Sequence, residues 1–138
     1  MKDDANMSKM KAAIQRSRPD LTVYEALYKR IHANPELSHQ ESETAALITQ
    51  HLQRLSPDFE IRNGIGGHGL IAILRSGEGK IIMLRADMDA LPVAERTNLE
   101  YASSRRQVGS DGKETPVMHG QRPQHCVTIS QCIADSRH

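Results

Sequence analysis

The chain has 138 residues, with 18 Lys and Arg against 17 Asp and Glu, a formal charge of +1 spread along its length. With three Tyr, one Phe and no Trp it offers little for bases to stack on, and its adjacent basic pairs are only Lys29-Arg30 and Arg105-Arg106, so nucleic-acid binding is not expected. No apolar run approaches the roughly 18 residues of a membrane span. The start, "MKDDANMSKMKAAIQRSRPD", lacks the apolar core of a signal peptide, which predicts an intracellular, cytoplasmic protein. Cys126 and Cys132 fall in the last thirteen residues and form no disulfide framework.

Residues 1–20 carry little pattern and read as a weakly ordered or partly helical lead-in. Thr22 and Glu25 have capping-box spacing, and Val23, Leu27 and Ile31 recur at every fourth position beside Tyr24 and Tyr28. A helix over about 22–33 follows, stopped by Asn34-Pro35. Ser38 and Glu41 repeat the capping-box spacing, and Ala45, Ile48, Leu52 and Leu55 give a second helix over about 41–55 its apolar face. "FEIRN" (59–63) alternates like a half-buried strand. "GIGGHG" (64–69) is a tight turn, with glycines that supply backbone freedom rather than a phosphate loop. "LIAIL" (70–74) and "IIML" (81–84) are short continuous apolar runs separated by "RSGEGK", and they read as strands covered on both faces. Residues 94–118 are polar and loop-like, with a short strand near Leu99–Tyr101. Helix, helix, then strands gives an α/β class, two helices packed on a small sheet.

"IIMLRADMDALPV" (81–93) poses the functional question. Arg85, Asp87 and Asp89 alternate directly after an apolar run, so on a strand they would share a face. Three ionised groups do not enter a dry core unpaired. They belong at the strand's C-terminal end, where open α/β sheets place their ligands. Two carboxylates there could orient a metal-bound histidine, hold a cation or act as an acid/base pair. The alternative is an Arg85–Asp87 surface pair with Asp89 capping a turn. His68 reads as a solvated loop residue, and His32 and His39, flanking "NPELS", as helix-end or surface residues.

"NPELSHQESETAALI", "GIGGHG", "LRADMDALPV" and "TPVMH" occur in order between about Tyr24 and His119. Together they resemble the amidohydrolase branch of the aminoacylase and carboxypeptidase metallopeptidase family. That group includes hippurate hydrolase, indole-acetyl-amino-acid hydrolases and N-acyl-amino-acid amidohydrolases. The resemblance implies a zinc-peptidase-like catalytic domain with two divalent metals per site, of the zinc or manganese type, and an inserted dimerisation or lid domain. It implies hydrolysis of the amide bond of small N-acyl amino acids by metal-activated water. It places Asp87 and Asp89 in the wall of the catalytic cleft, Asp89 matching the residue that elsewhere orients a metal-binding histidine.

The family pattern continues past "VMH" with Ala-Cys-Gly-His-Asp, whose Cys and His bind metal. Those two positions fall here on Gln121 and Pro123, which cannot replace them. His119 remains as a weak metal candidate. The tail "GQRPQHCVTISQCIADSRH" departs from the pattern, and His125, Cys126, Cys132 and His138 show no zinc-ligand spacing. The expected organisation is therefore a lead-in (1–20), the N-terminal part of a metallopeptidase catalytic domain (21–119) and a divergent, disordered tail (120–138). In this reading the lid domain is absent, no metal is bound, and the chain is a truncated amidohydrolase that does not carry out the reaction alone. Two rivals stand beside it: a non-catalytic binding or regulatory fragment, and a gene-model product without function.

Overall fold

A computed structural model describes residues 2–17, 20–120 and 132–134. Three helices come first, α1 (Lys2–Arg16), α2 (Leu21–Ala33) and α3 (Ser42–Leu55). The strands β1 (Glu60–Ile65), β2 (Gly69–Ile73), β3 (Ile81–Met83), β4 (Arg106–Val108), β5 (Glu114–Pro116) and β6 (Cys132–Ala134) follow. The chain mixes α and β as the sequence predicts, but the expected single sheet is replaced by three antiparallel ribbons, β1–β2, β3–β6 and β4–β5. Among the described residues no helix is long and apolar enough to cross a membrane. Gln121, Pro123, His125, Cys126 and His138 lie outside the described residues, as does the expectation of a disordered tail apart from the Cys132–Ala134 backbone.

Both helix starts differ from the capping boxes read in the sequence. The carboxylate of Asp20 accepts from the Thr22 amide at 3.0 Å, so α2 is capped by Asp20 rather than Thr22, and Glu25 instead pairs with Lys29 one turn on at 2.8 Å. At α3 the N-cap residue, Glu41, makes no side-chain capping bond. The cap comes from Glu36, five residues earlier. Its Oε1 accepts from the Glu43 amide at 3.1 Å and its Oε2 from the Thr44 amide at 2.7 Å. These are the second and third helical positions, where free N–H groups and the positive helix end favour a carboxylate. Glu36 is 1% exposed. Arg105 closes the arrangement: it lies 3.9 Å from Glu36 and grips Glu43 through two bonds of 2.9 and 3.2 Å.

The hairpin β1–β2 turns through Gly66 and Gly67, both at positive φ, and its register shifts between Asn63 and Ile65. Gly69 sits where that bulge brings backbones together, since a Cβ there would overlap the Ile65 carbonyl. Thr49 on α3 donates to Asn63 on β1 at 2.9 Å, tying hairpin to helix. The expected strand near Leu99–Tyr101 is a turn, and the stretch expected to be loop contains the β4–β5 ribbon.

The apolar core lies elsewhere. Leu37, Ala90 and Val117 form its buried cluster, at a crossing of three segments remote in sequence. Ala90 N–H donates to the Glu36 carbonyl at 2.8 Å, and Leu91 and Met118 exchange two backbone bonds of 2.8 and 3.1 Å. The Gln107 side chain accepts from the Leu37 amide at 2.7 Å, joining the β4–β5 ribbon to the same point.

The β3 run is not covered as expected. Ile81, Ile82, Met83 and Leu84 are each more than half exposed, because among the described residues no layer packs on this strand. Such a contiguous apolar strand promotes association. In sedimentation velocity the unmodified chain is expected to self-associate as concentration rises, and Ile82→Lys to suppress this. Equal, fully monomeric behaviour of both chains would contradict that expectation.

Candidate active-site cleft

The crossing also fixes a chain of buried polar groups. Pro35 ends α2 with His32 in its last turn, at the helix end as one of the two sequence readings had it, but 4% exposed and so not a surface residue. His32 Nε2 lies 2.9 Å from Glu95 Oε1, and its Nδ1 lies 3.4 Å from the Tyr28 hydroxyl. Glu95 also accepts from the Ser103 amide at 2.6 Å and from the Thr97 hydroxyl. Burial pushes the Glu95 carboxyl up, but the bonds from His32, Thr97 and Ser103 outweigh it and hold it below the ordinary carboxylate range. Tyr101 packs edge-on against both Tyr28 and His32. Neither the pairing of His32 with Glu95 nor the capping by Glu36 was found from the sequence. The acidic residue inside "NPELS" was the one local signal.

Residues 85–89 lie just outside this crossing. Strand β3 ends at Met83, so the alternating charges follow the strand rather than belonging to it. Arg85 and Asp87 form a 2.7 Å pair, both exposed, which is the first half of the surface reading. Asp87 and Asp89 nevertheless line a common cleft of about 630 Å3 with Arg85, the turn residue His68, and His39 and Glu41. His68 is half-buried on that wall rather than fully solvated.

His119 stands behind Asp89. It is 9% exposed, and its ring lies 6.4 Å from that of His32. Burial lowers its pKa below the usual 6.5, and the neighbouring His32 adds to this. A hydrogen bond with the Asp89 main chain and the Asp89 and Glu95 carboxylates pull the other way. Its Nε2 is buried without a hydrogen-bond partner. The segments "NPELS", "DMDALP" and "PVMH" thus meet at one place and carry Glu36, Asp87, Asp89 and His119 with them.

The same chain is 41% identical over 100 residues to the hippurate hydrolase of Campylobacter jejuni, covering 69% of this chain and 26% of that enzyme. It is 43% identical over 75 residues to thermostable carboxypeptidase 1 of Saccharolobus solfataricus, covering 54% and 19%. A comparable stretch is 37% identical to an IAA-amino acid hydrolase of Arabidopsis thaliana, covering 54% and 17%. The chain belongs to the amidohydrolase branch of the aminoacylase and carboxypeptidase metallopeptidase family. It spans at most 26% of the length of these three amidohydrolase-family relatives. No protein-family model matches it, and neither does any solved structure.

A two-metal centre needs several converging donors. Among the described residues no three His, Cys, Asp or Glu side chains stand close enough to hold an ion. His32 is engaged by Glu95 and Asp87 by Arg85, so His119 Nε2 and Asp89 are left as the donors nearest the crossing. The described residues of this amidohydrolase-family chain therefore do not fit such a centre on their own.

Proposed function

We propose that this chain supplies the N-terminal part of the catalytic domain of a metal-dependent amidohydrolase acting on N-acyl amino acids, and that it does not complete the reaction alone. The observation that carries this reading is the crossing. Three of the four segments on which the family resemblance rests bond to one another, and they bring Asp87 and Asp89 to the wall of one cleft, shared with the glycine turn, beside His119. In this role Asp89 orients His119 from the main chain and the carboxylate, while Arg85 holds Asp87 in place. The crossing gives both a rigid base. The metals that would activate water need ligands that the described residues do not provide, so the chemical step belongs to residues outside them.

Two measurements test this. The purified chain given zinc, manganese or cobalt is expected to hydrolyse hippuryl, N-acetyl or indole-acetyl amino acids no faster than the enzyme-free mixture. Metal-dependent turnover lost on Asp89→Ala would show that the chain is sufficient. Conversely, residues 24–119 grafted in place of the matching segment of the Campylobacter hippurate hydrolase are expected to preserve hydrolysis of hippurate. A graft that folds and binds metal yet is inactive would remove the catalytic-domain reading.

A further inference from the structure

Asn63 precedes a glycine, which no other asparagine of the chain does: Asn6 is followed by Met7, Asn34 by Pro35 and Asn98 by Leu99. The pair Asn63-Gly64 lies where the β1–β2 ladder is broken. Asn63 is opposite Leu70 and Ile65 opposite Gly69, so Gly64 is the extra residue of the bulge and has no cross-strand partner. Its φ of +78° is one that glycine adopts freely. Both residues are exposed. A Cβ on Gly64 would meet nothing nearer than the Gly67 carbonyl oxygen at 3.9 Å, so the space around its backbone is open.

The Asn63 side chain is lightly held. Among the described residues its hydrogen-bond partner is the Thr49 hydroxyl, 2.9 Å from Oδ1. That hydroxyl also reaches the Ala45 carbonyl at 2.8 Å, so its one proton is divided between two acceptors. Asparagine is a thermolabile residue, because the next backbone nitrogen can attack its side-chain carbonyl carbon. A regular ladder rung prevents the attack by fixing that nitrogen, and a bulky following side chain hinders it. At Gly64 neither obstacle is present.

We propose that Asn63 is a self-modification site, converting to aspartate and isoaspartate. The Gly64 nitrogen gives its proton to water and attacks Asn63 Cγ. The N–Cγ bond forms, the Cγ–Nδ2 bond breaks, and the amide nitrogen leaves as ammonia with a proton returned from water. Water then opens the cyclic imide at either carbonyl. Cleavage of N–Cγ gives aspartate. Cleavage between that nitrogen and the Asn63 main-chain carbonyl carbon gives isoaspartate, with the backbone lengthened by one methylene. Either product sets a new carboxylate on a groove of about 400 Å3 between α3 and the hairpin, whose wall includes Gln50, Gly67 and His68 but no lysine or arginine. The longer backbone also displaces the residue that ties the hairpin to α3, and the glycine turn carrying His68 loosens with it. The inference involves no metal and does not depend on the hydrolytic reading.

The test is peptide mapping by mass spectrometry of the whole chain stored at neutral pH, folded by circular dichroism and, in parallel, unfolded in urea. Folded Asn63 is expected to convert within about tenfold of its unfolded rate, because an exposed bulge opens at little cost. Isoaspartate should be among the products, while Asn6 and Asn98 stay intact over the same period. Asn63→Gln keeps a side-chain amide but closes the ring far less readily, and position 63 should then stay unconverted. The converted chain should show displaced amide NMR signals at Thr49 and His68. Folded conversion slower than unfolded by roughly a hundredfold or more, the protection of a ladder rung, would overturn the proposal. So would equal conversion at Asn98, equal conversion of Asn63→Gln, or unmoved signals at Thr49 and His68.

Discussion

Glu36→Ala should cost about 3 kcal/mol of unfolding free energy, while Glu41→Ala should stay within about 0.5 kcal/mol of the unmodified chain. The contrast separates the residue that caps α3 from the one that local spacing nominates. Removing the Glu36 carboxylate leaves the Glu43 and Thr44 amides without their acceptors at 3.1 and 2.7 Å. It also leaves Arg105 beside a buried void, and no water-exposed route replaces a side chain that is 1% exposed. The buried Thr44 donor, once orphaned, costs on the order of 1–3 kcal/mol, the part-buried Glu43 amide adds less, and small domains are stable by only about 5–15 kcal/mol. Glu36→Gln, which keeps one acceptor but turns an NH2 toward a backbone donor, should fall between the two. Urea denaturation followed by circular dichroism reads all three. Equal midpoints for Glu36→Ala and Glu41→Ala would show that α3 is held by something other than this cap.

Acidification is expected to destabilise the chain in two steps. The His119 pKa is lower in the fold than its ordinary 6.5, chiefly through burial. The unfolded chain therefore takes up that proton first, and the contribution of His119 is complete above about pH 6.5 and is lost as pH falls below it. The Glu95 carboxyl is likewise lowered from the ordinary 4.5. Its contribution is complete above that value and is lost as pH drops through the lower folded one. The pairs Glu25–Lys29, Glu60–Arg62 and Glu43–Arg105 shift in the same direction, but their carboxylates lie in solvent, where screening leaves them little weight. The denaturation midpoint plotted against pH should fall first below about 6.5 and again below about 4.5. His119→Gln should remove the first decline and Glu95→Gln the second. A midpoint flat between pH 7 and 5 would show that His119 is not held neutral by burial.

The parts of the fold legible in the sequence are those decided within a few residues. The stripe of Val23, Leu27 and Ile31 and that of Ala45, Ile48 and Leu52 marked α2 and α3, and Pro35 marked where α2 stops. "GIGGHG" marked a turn that needs positive φ. The β4–β5 ribbon was missed because "RQV" and "ETP" lack the β-branched, alternating pattern of a strand, although "GSDGK" between them is a turn signal, with Gly112 at positive φ. The covering of β3 was misjudged because an apolar run records a preference for burial and not the presence of a partner layer. At the site, alternation drew attention to Asp87 and Asp89, which line one groove with Arg85 and His68. It could not reveal that His32 meets Glu95 across 63 positions of sequence, or that Arg105 reaches Glu43 across 62.

The crossing of Glu36–Leu37, Ala90–Leu91 and Val117–Met118 also dictates the order in which the molecule can assemble. The helices and the β1–β2 hairpin need only neighbours close in sequence, and such elements form in microseconds. The buried cluster instead closes two long loops, from Leu37 to Ala90 and from Leu91 to Met118, and their closure entropy is spent before the reward of burial arrives. High-separation contacts of this kind slow folding. As the chain is made, α2, α3 and the hairpin come first; the crossing waits for Val117 and Met118, and β3 stays without its partner strand until Cys132–Ala134 have been added. Throughout that interval β3 exposes an unpaired edge in addition to the apolar side chains it still exposes in the finished fold, so the nascent chain is open to association with itself in two ways.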